Sequence, residues 1–199
     1  MGFFDRFRRT PPSPHSAPVV WTRETVVPLV REWGGLSRLE KTAGRTLSKR
    51  HVAADLWVIF ARYSPSLAEF LVDGEEDYLV GVKGEELYEV ARDNLRTRMP
   101  PVQRHGKVGA EMLTCGGKFE ASLLLFEDLW ESIAGETSGD LVACVPSRDT
   151  VLLTGTAVPG GVERLRSAAQ RILGENAHPL SGALLRWTGD GWEPFAPAA

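Results

Sequence analysis

Asp140, Arg148, Asp149 and His178 are the residues whose types could together do acid, base or anion-binding chemistry. They are dispersed, so a site made from them has to be assembled by the hairpins of the C-terminal third. A second reading stands beside this one. Asp140 and Asp149 fall at the ends of a predicted hairpin, where an Asp side chain accepts hydrogen bonds from nearby backbone N–H groups. His178 precedes Pro179 in a turn-like stretch and reads as a loop histidine.

Other reactive types are scattered. His15, His51 and His105 stand singly, and neither H-E-x-x-H nor C-x-x-C spacing occurs. There is no G-x-S-x-G elbow and no phosphate-binding G-x-x-x-x-G-K-[ST] loop. Cys144 lies in an apolar run, and Cys115, before Gly116-Gly117, reads as the more exposed thiol with no cation nearby in sequence to activate it. Gly160-Gly161 reads as a turn before a helix. The acidic run Glu69, Asp73, Glu75, Glu76 and Asp77 lacks calcium-loop spacing, because Gly74 comes too early. No catalytic, cofactor-binding or metal-ligating residue is therefore assigned, and no cofactor is expected.

The elements that must position these residues are clearest at the C-terminal end. Asp140–Val145 and Thr150–Thr154 flank the turn Pro146-Ser147-Arg148-Asp149, which predicts a hairpin. Val162–Leu173 reads as a helix closed by Gly174, and Leu180–Trp187 with Gly191–Phe195 as a last hairpin. Upstream, Leu87, Val90, Ala91, Asn94 and Leu95 mark one face of a helix over 84–98, stopped by Pro100-Pro101. Phe119–Ile133 predicts another helix, Val108–Cys115 a strand, and Asp55–Ala61 a strand that Ala68–Val72 pairs back upon. Thr22–Trp33 is ambiguous: a helix stopped by Gly34-Gly35, or an extended stretch around Pro28. Ser37–Arg50 reads as a loop or an exposed helix. The pattern predicts an α+β fold, an antiparallel sheet built from successive hairpins with crossing helices packed on it. The lack of βαβ units argues against a dinucleotide-binding fold.

Composition narrows the function classes. The 199 residues are 43% apolar, enough to fill a sizeable core, with a formal charge of −3. Residues 1–50 carry ten Lys/Arg against four Asp/Glu, and the rest thirteen against twenty-two. The basic segment is sparse and its aromatics do not interleave with its cations, so nucleic acid is not an expected partner. Two cysteines suit a reducing, cytoplasmic compartment. No stretch reaches the length of a membrane span or a secretory signal. Residues 10–18 hold four prolines in nine positions. They read as a semi-rigid linker that makes 1–18 a tail and 19–199 a single α+β domain.

Several short runs carry a family resemblance over about residues 26–195. They are Val27-Pro28-Leu29-Val30-Arg31, Ala91-Arg92-Asp93-Asn94-Leu95, Glu120-Ala121-Ser122, Gly139–Pro146 with Asp149, and Ala177–Ser181 leading to Glu193-Pro194-Phe195. In this order they resemble the YtpQ-like family of bacterial proteins. The resemblance implies an α+β fold and carries no established activity. Longer relatives have a folded segment before the Val-Pro-Leu-Val-Arg match, where this chain has the tail and linker.

The expected function is a non-enzymatic binding or adaptor module with a protein partner. The motivation is the absence of catalytic motifs together with six tryptophans, too many for one core. The alternative is a small enzyme using the dispersed residues of the C-terminal hairpins. The tail adds a possible contact: Phe3, Phe4 and Phe7 can share one helical face while Arg6, Arg8 and Arg9 stay polar, a miniature membrane anchor. The simpler reading is an N-terminus without a role. For an anchor, three buried Phe contribute about 1.5–3 kcal/mol each. Three Arg add roughly 1 kcal/mol apiece at an anionic surface, and ordering costs about 1–2 kcal/mol per residue. Binding is then weak and salt-sensitive. Deleting residues 1–9 should leave the melting temperature unchanged and abolish low-salt co-sedimentation with anionic vesicles; equal partitioning of both forms contradicts the anchor.

Overall fold

The computed structural model describes residues 20–63, 69–107 and 110–196. The first strand, Val26–Glu32 (β1), settles the ambiguity around Pro28 in favour of extended chain. It lies at the edge of its sheet and pairs antiparallel with Leu56–Arg62 (β3), Pro28 facing Phe60. The N–H of Val30 donates outward to Ser122 Oγ at 3.2 Å. Pro28 has the same parity, so its missing N–H also faces outward, where no ladder bond is lost.

The helix expected to end at Gly34-Gly35 instead begins there. Glu32 caps the helix Trp33–Ala43 (α1) by accepting from the N–H groups of Gly34 and Gly35, both at 2.6 Å. A β-carbon on Gly34 would stand 2.9 Å from Glu32 Oε2, so the small residue makes room for the cap. Gly44, at φ 64°, ends the helix in the left-handed region. Lys49–Ala53 (β2) then pairs with β3 around the turn Ala54-Asp55, and the two residues of Glu69–Phe70 (β4) pair back on the end of β3. The first sheet thus runs β1-β3-β2, with β4 on β3.

Glu76–Leu79 (α2) is a single turn, and Gly84–Arg98 (α3) has the predicted bounds, burying Leu87, Ala91 and Leu95. Gln103–Lys107 (β5), exposed along its length and not predicted, pairs with Ala110–Thr114 (β6). The helix expected over Phe119–Ile133 is broken at Phe126 into a 3-10 segment, Glu120–Leu125, and Glu127–Glu136 (α4). The Leu123 carbonyl accepts from Phe126 N–H at 3.1 Å and from the Trp130 indole at 2.7 Å, which closes the short turn.

Leu141–Ser147 (β7) and Thr150–Gly155 (β8) form the predicted hairpin. Gly161–Glu175 (α5) follows, and Leu185–Trp187 (β9) with Trp192–Pro194 (β10) make a shorter last hairpin than expected. The second sheet runs β10-β9-β7-β8-β6-β5. All of β7 is buried: Val142 and Cys144 pack towards α5 with Leu165 and Ala169, while Leu141, Ala143 and Val145 enter the main core.

The α+β class stands, with helices packed on antiparallel hairpins, and the strands divide between two sheets. One core joins them: Val26, Val30, Val58 and Phe60 of the first sheet, Ala143, Val145 and Leu153 of the second, and Leu123–Leu125 between. Within the apolar runs of the strands and of the last hairpin, Ile59, Leu141, Val145, Leu184 and Leu185 are buried, and Trp57 and Leu152 are half-buried. Among the described residues no helix is long and apolar enough to cross a membrane.

The 3-10 segment opens on a fully buried carboxylate. Glu120 Oε1 accepts from the N–H groups of Cys115 (2.8 Å) and Gly117 (2.6 Å), and Oε2 from Phe119 (3.0 Å). Charge-assisted bonds of this kind are each stabilising by about 1.5–3 kcal/mol, and orphaned buried donors cost about as much. Glu120→Ala should therefore lower the unfolding free energy by about 3–5 kcal/mol in urea titration; a loss under 1 kcal/mol would show that the turn holds itself.

Candidate functional site

The turn between β2 and β3, the end of β1, the tip of the β7–β8 hairpin and the segment 176–181 meet at one end of the molecule. Ala54 sits in the left-handed region at φ 50°, unusual for a residue with a β-carbon. The turn is held from both sides. Trp33 N–H donates to the Asp55 carbonyl at 2.8 Å, and Ser181 Oγ donates to Asp55 Oδ1 at 2.5 Å. Ser181 is itself tied to β7 through its N–H and the Val145 carbonyl at 3.1 Å.

The hairpin tip gathers three of the four residues singled out in the sequence. Asp149 Oδ1 accepts from Ser147 Oγ (2.6 Å), Asn176 Nδ2 (3.3 Å) and Thr150 Oγ1 (3.4 Å). Burial pushes the Asp149 carboxyl up, but hydrogen bonds from Ser147, its own N–H, Asn176 and Thr150 outweigh it and hold it below the ordinary value. Arg148 N–H donates to the His178 carbonyl at 3.3 Å, and Asn176 Oδ1 accepts from His178 N–H at 2.8 Å. His178 thus enters through its backbone. Asp140 does not join them. It lies at the opposite end of β7, roughly 25 Å away by strand rise, beside Arg186 at 3.4 Å.

Two residues not singled out in the sequence complete this end of the molecule. Arg31 and His51 both stand opposite Trp57, one on each flanking strand, so the three side chains share a face of the first sheet. Trp57 lies 4.9 Å from the His51 ring, edge-on, and 5.2 Å from Trp33, which is 42% exposed. His51 Nε2 donates to the Ala54 carbonyl at 2.9 Å, and Lys49 Nζ stands 5.4 Å from the Trp33 ring. On the β1 side, Arg31 Nη1 donates to its neighbour's carbonyl, Val30 O, at 2.7 Å. Burial, and then the charge of Arg148, lowers the Arg31 pKa to about 10. The sequence signal for this cluster was the cross-strand register, and that requires knowing which strands pair.

The remaining candidates are structural or outside this view. Cys115 is buried, contrary to its reading as the more exposed thiol, because the strand carrying it runs into the main core. Burial pushes both Cys115 and Cys144 up to about 12, so neither is a thiolate at neutral pH. Gly160, at φ 64°, starts α5 as a turn residue. Among the described residues no group of three His, Cys, Asp or Glu is placed to hold a metal. Among the described residues there is a cavity of about 170 Å³ beside His51, Tyr88 and Trp192, and one of about 310 Å³ along β6 and α5. Both are at or below the lower end of small-molecule sites. Phe3, Phe4, Phe7, Arg8 and Arg9 lie outside the described residues.

No family model, curated protein or solved structure matches this chain.

Because the Asp149 pKa is depressed in the folded state, its contribution to stability is complete above the unfolded value near 3.9. It is lost as pH falls through the lower folded value. Between about pH 5 and pH 2, wild type should lose more stability than Asp149→Asn. Parallel stability–pH curves for the two proteins would show that the hairpin tip does not depend on this carboxylate.

Proposed function

We propose that this chain is a member of the YtpQ-like family and works as a non-enzymatic binding module for a protein partner, through the aromatic surface at the end of the first sheet. The observation that carries this reading is the Trp33–Trp57 pair with its ring centroids 5.2 Å apart and Trp33 open to solvent. Trp33 is anchored by the Glu32 cap and by its N–H bond to Asp55, and Trp57 by its place in a central strand. Aromatic side chains held in this way lose little conformational entropy on binding and dominate interface energetics. The partner surface suited to these rings is apolar at its centre, since Lys49 is paired with Glu40 and His51 Nε2 is bonded to the Ala54 carbonyl.

The cytoplasm is the compartment we infer. Two buried, unpaired cysteines suit a reducing environment, where no disulfide is needed to hold this core.

The test is a photo-crosslinking amino acid placed at position 33, with a second protein carrying it at Tyr78, which is 90% exposed and lies on α2. Illumination in the source cell should give one discrete heavier species from position 33 and none from 78. Adding Trp57→Ala should abolish that species while the melting temperature falls by no more than a few degrees, since Trp57 is half-buried. Equal labelling from both positions, or none from 33, overturns the proposal.

A further inference from the structure

Arg31 and Arg148 reach the same place from different sheets. The 3-10 segment stands between them: Ser122 Oγ bonds Val30 N–H at 3.2 Å, and Ala121 N–H donates to the Arg148 carbonyl at 3.2 Å. Two successive residues of one short turn therefore hold the backbones that carry the two guanidinium groups. The Arg31 guanidinium folds back onto the Val30 carbonyl, beside the Val30 N–H that Ser122 holds, and both arginines are half-buried.

Neither has a counter-charge among the described residues, although both are half-buried. Arg50 meets Glu85 at 2.8 Å through both oxygens and Arg96 meets Asp128 at 2.6 and 2.7 Å, while the half-buried Arg98 is held by the carbonyls of Asn94 and Glu24. Among the described residues neither Arg31 nor Arg148 forms an ion pair. Asp149, next to Arg148 in the chain, accepts from Ser147, Thr150 and Asn176 and forms no ion pair with it. The Arg148 Nε is buried without an acceptor, and the side-chain bond of Arg31 goes to its neighbour's carbonyl. Burial of two like charges with an orphaned donor is unfavourable unless something negative is bound.

We propose that Arg31 and Arg148 form an anion-binding subsite for a tetrahedral dianion of the phosphate class, either inorganic phosphate or the phosphoryl group of a small phosphomonoester. Two guanidinium forks, one Arg31 N–H being spent on the Val30 carbonyl, supply planar donor pairs, the geometry that oxyanions accept in bidentate fashion. A dianion balances both charges, whereas a monocarboxylate leaves one uncompensated. Bound anion also supplies the acceptor that Arg148 Nε lacks. The subsite adjoins the aromatic surface through Arg31, which stands opposite Trp57, but it needs no protein partner, and either can fail without the other.

The experiment is thermal melting and titration calorimetry of the full chain in phosphate, sulfate, phenyl phosphate and acetate, each at constant ionic strength made up with sodium chloride. Phosphate and sulfate should raise the melting temperature and acetate should not. Phenyl phosphate binding tighter than phosphate assigns the site to a phosphomonoester, and the reverse order assigns it to the free ion. Arg148→Gln should weaken phosphate binding by about tenfold or more. In phosphate-free buffer the same variant should melt at or above the wild-type temperature, because it removes a repelled, unpartnered cation. Arg31→Gln should weaken binding likewise. No stabilisation by phosphate over chloride overturns the proposal. So does an Arg148→Gln protein that melts lower without anion, since the arginine would then be structural.

Discussion

The fold depends on one short turn of chain that no water reaches. Residues 120–125 are buried throughout, and nearly every polar group of this 3-10 segment is spent on a different neighbour. Glu120 folds the preceding loop by collecting three N–H groups. Ala121 holds the Arg148 tip, and Ser122 closes the free edge of β1 by accepting from Val30 and donating to Pro28. The carbonyls of Leu123 and Leu124 take the indole N–H groups of Trp130 and Trp192. A buried backbone polar group has to find a partner. Here those obligations tie two sheets, a helix and the last hairpin to a single point.

This arrangement explains why the two sheets behave as one body around a common core. Trp130 packs edge-on against Trp192 at 4.8 Å, and Trp192 lies 5.2 Å from Trp187, so the short last hairpin is held by three rings as well as by its few ladder bonds. Strands of three residues are marginal by themselves. Burial of the indole faces, with both N–H groups satisfied, makes up the difference.

The same segment creates the candidate site as a by-product of holding the fold together. It brings the end of β1 and the tip of the β7–β8 hairpin to one place, and each arrives carrying an arginine. Nearby, the register of the first sheet aligns Arg31, Trp57 and His51 in one row, and the α1 cap stands Trp33 beside them. The result is a rigid surface of rings and cations without a deep pocket, which suits recognition of a surface or an ion better than enclosure of a substrate.

Local rules were enough for the elements whose pattern is strong. The period over 84–98, the hairpin around Pro146–Asp149 and the helix from Val162 were legible because propensity, turn chemistry and burial agree there, although that helix runs through its expected stop, Gly174, to Glu175. They failed where a side chain a few residues away, or a neighbouring strand, overrides the pattern. Gly34-Gly35 opens a helix because Glu32 caps it, and the helix through Phe126 breaks because Trp130 claims a carbonyl. The all-polar strand β5 exists only because β6 offers it an edge. Of the site, Arg148, Asp149 and His178 were found through their turn, whereas Arg31 and the Trp33–Trp57–His51 row were not. The sequence by itself determined the α+β class, the C-terminal hairpin and the residues available for chemistry, since these follow from periodicity and turn types. Only the tertiary structure decided which of those residues meet. Proximity between positions 31 and 148 depends on the pairing of strands and on one buried turn, and neither leaves a trace in local spacing.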